Sequence, residues 1–512
     1  MLAHNRNARK RRGATLLLLM LGLPIVFIPL VGLAIDGTRL YIVQAKLSAA
    51  VDGAALGAGR LLGTTANTSE IAGEFLNANF PAGSWGTQNL TPTITAQNQL
   101  GTNVISVAAT VEAPLLFMRI FGQPYSMVAS GAVATRRNTR VELVLDQSGS
   151  MSTTIGAMLT GAKQFTGMFT PGTDELGLVA FSGSAMVAYP TTRPWDPSPI
   201  STTQFGPDTS FATSATSGPM FNELNLMTAG GGTNTPEALS LAYIELQKAH
   251  YHAIASTGVD QYLNSIVLFT DGMPTALSAS PNDPAHNALK PYGSTGGRSP
   301  CTYNANGGVM PGPGTTMAGF IYEDHTGLYL LASTDTTRSL NTWLSDPGYS
   351  YGSSRHQSTP AAAIAGCTGF GNSGNWSVAG DMAQIPAQDL YGNATSPGYK
   401  SVTLTGSAVT STTQWDNAIW NATDNVGRTI RTLSGMGSLA APTGMLPVTI
   451  FTIGYTGNGG IDAVLLKRLA NAQDSNAYDP TQQTGLFIQV DNSNNLTAAF
   501  MQVASSLLRL AQ

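Results

Sequence analysis

The feature that most restricts this chain is a run of 23 residues without a charge, GATLLLLMLGLPIVFIPLVGLAI, residues 13–35. As a helix rising ~1.5 Å per residue the run extends ~34 Å, enough to cross a hydrocarbon core of ~30 Å. A cleavable secretory signal is the competing reading, but its apolar part spans only ~7–15 residues and ends at a small-x-small site. Here the helical pattern runs straight on, so an uncleaved membrane anchor is expected. Pro24 and Pro29 would break a helix in water; in lipid they are tolerated where neighbouring groups re-satisfy the freed carbonyls, and a kink is expected. Arg6, Arg9, Lys10, Arg11 and Arg12 precede the run with no acid among them. That asymmetry retains residues 1–12 in the cytoplasm and sends everything after residue 36 outward.

Composition bears on what lies outside. The chain has 512 residues, room for three units at ~150 residues each. Charged residues make up 11%, against ~25% in an ordinary soluble domain. Removing the five N-terminal basic residues from a net charge of −4 leaves −9 on the remainder, so the bulk is mildly acidic and no nucleic-acid partner is expected. Cys301 and Cys367 are the only two cysteines. An even count in an oxidising compartment allows a disulfide between them, two free buried thiols being the alternative.

After the span, Asp36 and Arg39 are three apart and can pair on one helical face, with Tyr41 as an interfacial aromatic. Residues 45–62 keep a helical apolar stripe (Leu47, Val51, Ala54, Ala55, Ala58), so one continuous helix is expected. A short helix follows, with Ser69 as N-cap. Residues 90–135 then switch to period two and predict three strands of a small antiparallel sheet. A long membrane helix followed by such a sheet is a pilin-like layout.

The segment RRGATLLLLMLGLPIVFIPLVGLAIDGTRLYIVQAKLSAAVDGAALGAG resembles the N-terminal part of TadE/TadG-like proteins of the Flp (tight adherence) pilus system. The likeness rests on the RRG start, the apolar span, the Asp-x-x-Arg-x-Tyr exit and the Ala-rich stretch beyond. It departs from prepilins at Leu18, where a processing site would want Glu, so prepilin-type cleavage is not expected.

The next block carries the chemistry. VELVLDQSGSM (141–151) is an apolar strand running into Asp-x-Ser-x-Ser, with a helix over 152–169. Asp146, Ser148 and Ser150 alternate, so their oxygens can converge, and hard oxygen donors with few charges suit a hydrated Mg²⁺-type ion. Taken singly, such residues could equally cap helices or fill a loop. An ordered series follows: a strand pair (175–183 and 185–192), GGGTNTPEAL (230–239) opening a helix, and SIVLFTDG (265–272) ending in Asp271. This resembles the von Willebrand factor A domain with its metal-ion-dependent adhesion site. The resemblance implies a ligand set of Asp146, Ser148, Ser150, Thr233 and Asp271. It further implies that the three hydroxyls bind the ion (Mg²⁺, or Mn²⁺/Ca²⁺) directly, that the two Asp act mostly through water, and that one position stays open for a partner's carboxylate. Thr235 before Pro236 reads as the N-cap of the following helix, which frees Thr233 for the ion.

Strands at 447–456 and 484–492, with helices at 412–436, 461–471 and 494–512, resume the alternation and imply a parallel sheet covered on both faces, its site at the carboxyl ends of the strands. The expected fold class is thus α/β: a single N-terminal transmembrane helix (13–35) with a pilin-like α+β segment (36–138), then a Rossmann-like, mostly parallel A domain. That domain comes in two parts, 139–272 and 414–512, around a long insertion, 273–413, which is rich in Gly, Pro, Ser, Thr and Asn with scattered aromatics and one helical stretch at 334–345. Leaving from the Asp271 loop, the insertion is either a partner-reading surface or a decoration that shields the site.

Other chemistries are thinner. The six histidines show no metalloprotease or zinc-finger spacing, and His250 with His252 read as complementing a helix C-terminus. The chain lacks a G-x-S-x-G elbow and a Walker loop. The expectation is a binding protein, not an enzyme. It would be a single-pass bacterial inner-membrane protein with its bulk in the periplasm, or associated with the cell surface or pilus, that assists Flp/Tad pilus assembly or acts as a minor pilin. Its partners would be other pilus components met through an acidic side chain. A surface adhesin for host or matrix ligands is the alternative, and a chelatase-type enzyme subunit or hydrolase is a third reading.

Overall fold

The structure, a computed structural model, describes residues 6–59, 62, 67–99, 102–183, 185–190, 206–279, 319–322, 383–436, 439–458 and 460–511. Cys301, Cys367 and the helix expected at 334–345 lie outside them. The chain divides into two compact units between Arg136 and Arg137.

The first unit is built on α1 (Arg6–Gly59), 54 residues helical without interruption through Pro24 and Pro29. Among the described residues it is the one helix long and apolar enough to cross a membrane. Its outer half buries Val43, Leu47, Ala50, Val51, Ala54 and Ala58, a stripe at three- and four-residue spacing. That stripe meets a three-stranded sheet of β1 (Gln88–Gln99), β2 (Thr102–Pro114) and β3 (Tyr125–Arg137), with β2 central. Ile105, Val107, Ala109, Val111 and Ala113 of β2 point inward in alternation, the period-two signature of a strand with one buried face. Between helix and sheet strands, α2 (Thr68–Asn79) is capped by Asn67, whose side chain accepts from the Glu70 amide, rather than by Ser69. Ser69 already lies inside the first turn.

Asp36 and Arg39 still interact through their charges, but their hydrogen bonds go to other partners. The β2–β3 connection folds back onto α1 and presents three amides, so the Asp36 carboxylate accepts from Leu116 N (2.7 Å), Phe117 N (3.0 Å) and Met118 N (2.9 Å). Arg39 turns to the Trp85 carbonyl, 2.9 Å from its Nη2.

The second unit centres on a six-stranded sheet. Its strands are β4 (Thr139–Asp146), β5 (Glu175–Phe181), β6 (Ala185–Tyr189), β7 (Leu263–Thr270), and, after a small ribbon of β8 (Ala276–Ala279) and β9 (Gly319–Tyr322), β10 (Val448–Tyr455) and β11 (Phe487–Val490). The order is β11-β10-β7-β4-β5-β6, parallel throughout except for the antiparallel edge β6. β4, central, is buried at every residue, Arg140 and Glu142 included, as expected of a strand covered by helices on both faces.

On one face lie α3 (Ile155–Thr166), α4 (Pro219–Leu226) and the C-terminal helix α8 (Leu496–Leu510), where Phe269 and Phe500 stack at 5.7 Å and Phe165 meets Phe500 edge-on at 6.3 Å. On the other lie α5 (Thr235–Thr257), α6 (Thr412–Thr432) and α7 (Ala463–Leu469), packed through Leu239, Tyr243, Ile266, Val426 and Leu466. The stretch 152–169 is a 3-10 turn (Gly149–Thr153) before α3 rather than one long helix. Residues 383–411 run back along α5 and β8, where Leu390 N donates to Ser278 O (2.7 Å) and Asn393 Nδ2 to Ser240 Oγ (3.0 Å).

Candidate functional site

Sheet topology creates the site. β4 ends at Asp146 and its parallel neighbour β7 ends at Thr270, in register at Leu145 and Phe269. Asp146 and Asp271 therefore leave the same end of the sheet on adjacent strands, Asp271 one residue beyond the position opposite Asp146. The loop after β4 turns at once into its 3-10 turn, bringing Ser148 and Ser150 back over that end. Ser148 N donates to Asp146 Oδ1 (2.8 Å), the Ser148 and Ser150 hydroxyls are 3.0 Å apart, and Ser150 Oγ donates to Asp271 Oδ1 (2.7 Å).

Thr233 arrives from the glycine loop ahead of α5. That loop is stitched to the β4 loop by Gly149 N to Gly231 O (2.9 Å) and Gly230 N to Gln147 O (2.8 Å). Gly231 sits at φ 81° with Ser182 Oγ only 2.9 Å from where a Cβ would stand, so only glycine makes the turn without strain. A Cβ on Gly272 would stand 3.7 Å from Thr233 Oγ1 and 3.9 Å from Ser150 Oγ. Both hydroxyls thus border the space that this glycine leaves open. All five residues singled out from the sequence meet at one rim.

Three groups that sequence reasoning missed hold the rim in place. Thr270 Oγ1 donates to Asp146 Oδ2 (2.6 Å). Asn458, in the loop after β10, donates from Nδ2 to Asp271 Oδ2 (2.9 Å) and to Thr154 Oγ1 (2.7 Å). Thr275 Oγ1 accepts from Thr233 N (2.9 Å). Asn458 was findable in principle, because it follows the next parallel strand in the sheet, but only once the strand order was known.

The electrostatics are those of crowded acids. Asp146 is fully buried, and its pKa is pushed up to about 7, by burial first and the Asp271 charge second, against the pull of its bonds from Thr270 and Ser148. Among the described residues there is no cluster of three or more His, Cys, Asp or Glu side chains suited to a metal. The donor set is two carboxylates and three hydroxyls, all hard oxygen, which suits Mg²⁺, Mn²⁺ or Ca²⁺ and not a soft metal.

Two smaller expectations change. The N-cap of α5 is Asn234, not Thr235: its side chain accepts from Glu237 N (3.3 Å) and donates to Glu237 Oε2 (3.2 Å), which leaves Thr233 outside the helix all the same. His250 does not end a helix, since α5 runs on to Thr257. It is buried, with Nδ1 2.8 Å from Asp260, which also pairs with the buried Arg140 at 2.8 Å, near the amino end of β4 and away from the rim.

Comparison with known families agrees with this division. Residues 13–61 match the family described as putative Flp pilus-assembly TadE/G-like, and residues 141–273 match the von Willebrand factor type A domain. No curated protein matches the sequence. Similar solved structures include the PilB minor pilin from Streptococcus sanguinis, 12% identical, covering 84% of this chain and 80% of that one, with a TM-score of 0.35. The vWF domain of the type V pili tip protein Mfa5 from Porphyromonas gingivalis is 14% identical, with 74% and 97% covered and a TM-score of 0.32. A von Willebrand factor type A protein from Catenulispora acidiphila is 11% identical, with 82% and 51% covered and a TM-score of 0.31.

Proposed function

From a chain that joins a TadE/G-like pilus-assembly segment to a von Willebrand factor type A domain, we propose a membrane-anchored, pilus-associated binding protein. Its A domain holds a divalent cation at Asp146, Ser148, Ser150, Thr233 and Asp271 and uses the ion to grip an acidic side chain of a partner. The observation that carries the reading is the convergence of oxygen donors from three separate loops at the carboxyl edge of adjacent strands β4 and β7. Two buried carboxylates facing each other call for a positive counter-charge, and the hydroxyls supply further hard donors without adding charge. The positive N-terminal flank supports an outward, periplasmic orientation. The partner is then a pilus component, and the protein a binding component rather than an enzyme.

The test is capture of Flp/Tad pilus components by the full-length protein in Mg²⁺ against chelator, in wild type and Asp146→Ala. Capture should require both the ion and Asp146; equal capture in chelator would leave the A domain with a purely structural role. An adhesin reading draws on residues 273–413, which leave the chain next to Asp271. Deleting 290–400 separates the two: loss of surface attachment with pili intact favours the adhesin, and loss of pili favours assembly.

A further inference from the structure

The first unit carries a surface that the cation reading does not use. The β2–β3 connection closes in a single 3-10 turn, Met118–Phe121, that lies against α1 beside the last turn of the apolar run. The Phe117 ring fills the space next to Gly32, its nearest atom 2.1 Å from where a Cβ would stand. Asp36 holds the amides of Leu116, Phe117 and Met118. The connection is therefore level with residues 32–36. If the span runs to Ile35, that level reaches up to ~5 Å inside its end.

The connection exposes three large apolar side chains together with Arg119, whose long stem lets its charge reach the headgroups. Leu116, Ile120 and Phe121 are 56%, 76% and 64% exposed, and α1 shows Leu30, Val31, Leu33 and Ile35 to the outside at the same depth. An apolar groove of about 590 Å³ runs between the two, lined by Val31, Ile35, Ile42, Trp85 and Leu116, with Arg39 among its walls. Exposed Tyr41 and Trp85 are, with Arg39, the residue types of the headgroup zone.

Backbone outside a helix is tolerated at membrane depth only where protein satisfies its polar groups. Asp36 does this for three consecutive amides while being buried itself, which gives a physical reason for a carboxylate at the end of a membrane span.

We propose that residues 115–121 form a wedge embedded in the bilayer leaflet nearest the folded units, alongside α1, with a phospholipid acyl chain in the groove. The occupant is lipid because the surface continues the lipid-facing side of the span. The proposal rests on that span and is independent of the cation site.

The test places p-benzoylphenylalanine at position 121 of the full chain in vesicles of phosphatidylethanolamine and phosphatidylglycerol. Leu30 serves as the reference within the span. Val133, also exposed, serves as the reference outside, since the next residue of β3, Ala134, already packs against Gly59 at the far end of α1. Illumination should give phospholipid adducts at 121 and 30 and none above background at 133. A position 121 that forms no lipid adduct while position 30 does overturns the wedge. A chain-to-chain adduct at 121 overturns it in favour of a second copy, and absence of lipid adducts at both 121 and 30 removes the span and the wedge together.

Discussion

Each unit buries carboxylate at an exit from an apolar segment, and the two solutions differ. Asp36 at the end of the membrane run is met by three backbone amides. Backbone donors are fixed in place, so the group is satisfied, closed and structural. Asp146 and Asp271 at the ends of β4 and β7 are met by one backbone amide, hydroxyls and a side-chain amide, and by each other. Hydroxyls can rotate to offer lone pairs in place of protons, which is what the proposed cation site would need of Ser148, Ser150 and Thr233. A buried acid among backbone amides thus reads as a fastening, and paired buried acids among hydroxyls are what the proposed cation site would use.

The contrast can be broken at either end. The largest expected effect is from Asp36→Ala, which orphans three amides at a cost of ~1–3 kcal/mol for each that stays buried. Hydrogen exchange in reconstituted protein should show protection lost at residues 116–118, with the A domain unaffected; retained protection would mean that another acceptor holds the turn. Next, Asp146→Ala should weaken Mg²⁺ binding about 100-fold, ~2.7 kcal/mol, by titration calorimetry, while the far-ultraviolet circular dichroism stays that of the wild type. Unchanged affinity would move the ion elsewhere.

The third is a pH dependence. A carboxyl raised from 3.8 to about 7 binds its proton more tightly folded than unfolded, so in chelator this group lowers stability as pH rises from about 4 to about 7, by no more than ~1.4 kcal/mol per pH unit. Glu237 and Asp389, also raised to about 7 by burial, act in the same direction. The share belonging to Asp146 is therefore what Asp146→Asn removes from a series of melting temperatures and what Mg²⁺ reverses in the wild type. An identical slope in both proteins would count against it. The smallest effect is from Asn458→Ala, which frees one oxygen of Asp271 and should cost about tenfold in Mg²⁺ affinity with little change in melting temperature. A loss as large as that of Asp146→Ala would make Asn458 more than a positioning group.

The A-domain core was legible because most of its strands are apolar runs bounded by turn residues, and because the candidate site residues follow strand ends and a glycine turn. Asp146 and Asp271 follow such runs directly, and Thr233 follows three glycines. The small antiparallel sheet was legible from the alternation in β2. Less legible were groups whose meaning depends on a neighbour far along the chain. Asp36 reads locally as a partner for Arg39 three residues on, yet its acceptors are used 80 residues away. His250 reads as a helix end, yet Asp260 and the Thr443 carbonyl claim it inside the fold. Local spacing ranks only local partners, and burial rewards the distant ones.

Sequence alone determined that the chain begins with an apolar helix of membrane-spanning length, that a strand-and-helix alternation follows a small sheet, and which side-chain oxygens stand at strand ends. These are properties of periodicity, composition and chain order. Only the tertiary structure decided that β7 lies beside β4, that Asn458 and Thr270 steady the two acids, and that the β2–β3 turn folds onto the end of the span. Those depend on which surfaces meet once apolar faces are buried, and a linear order of residues does not specify that.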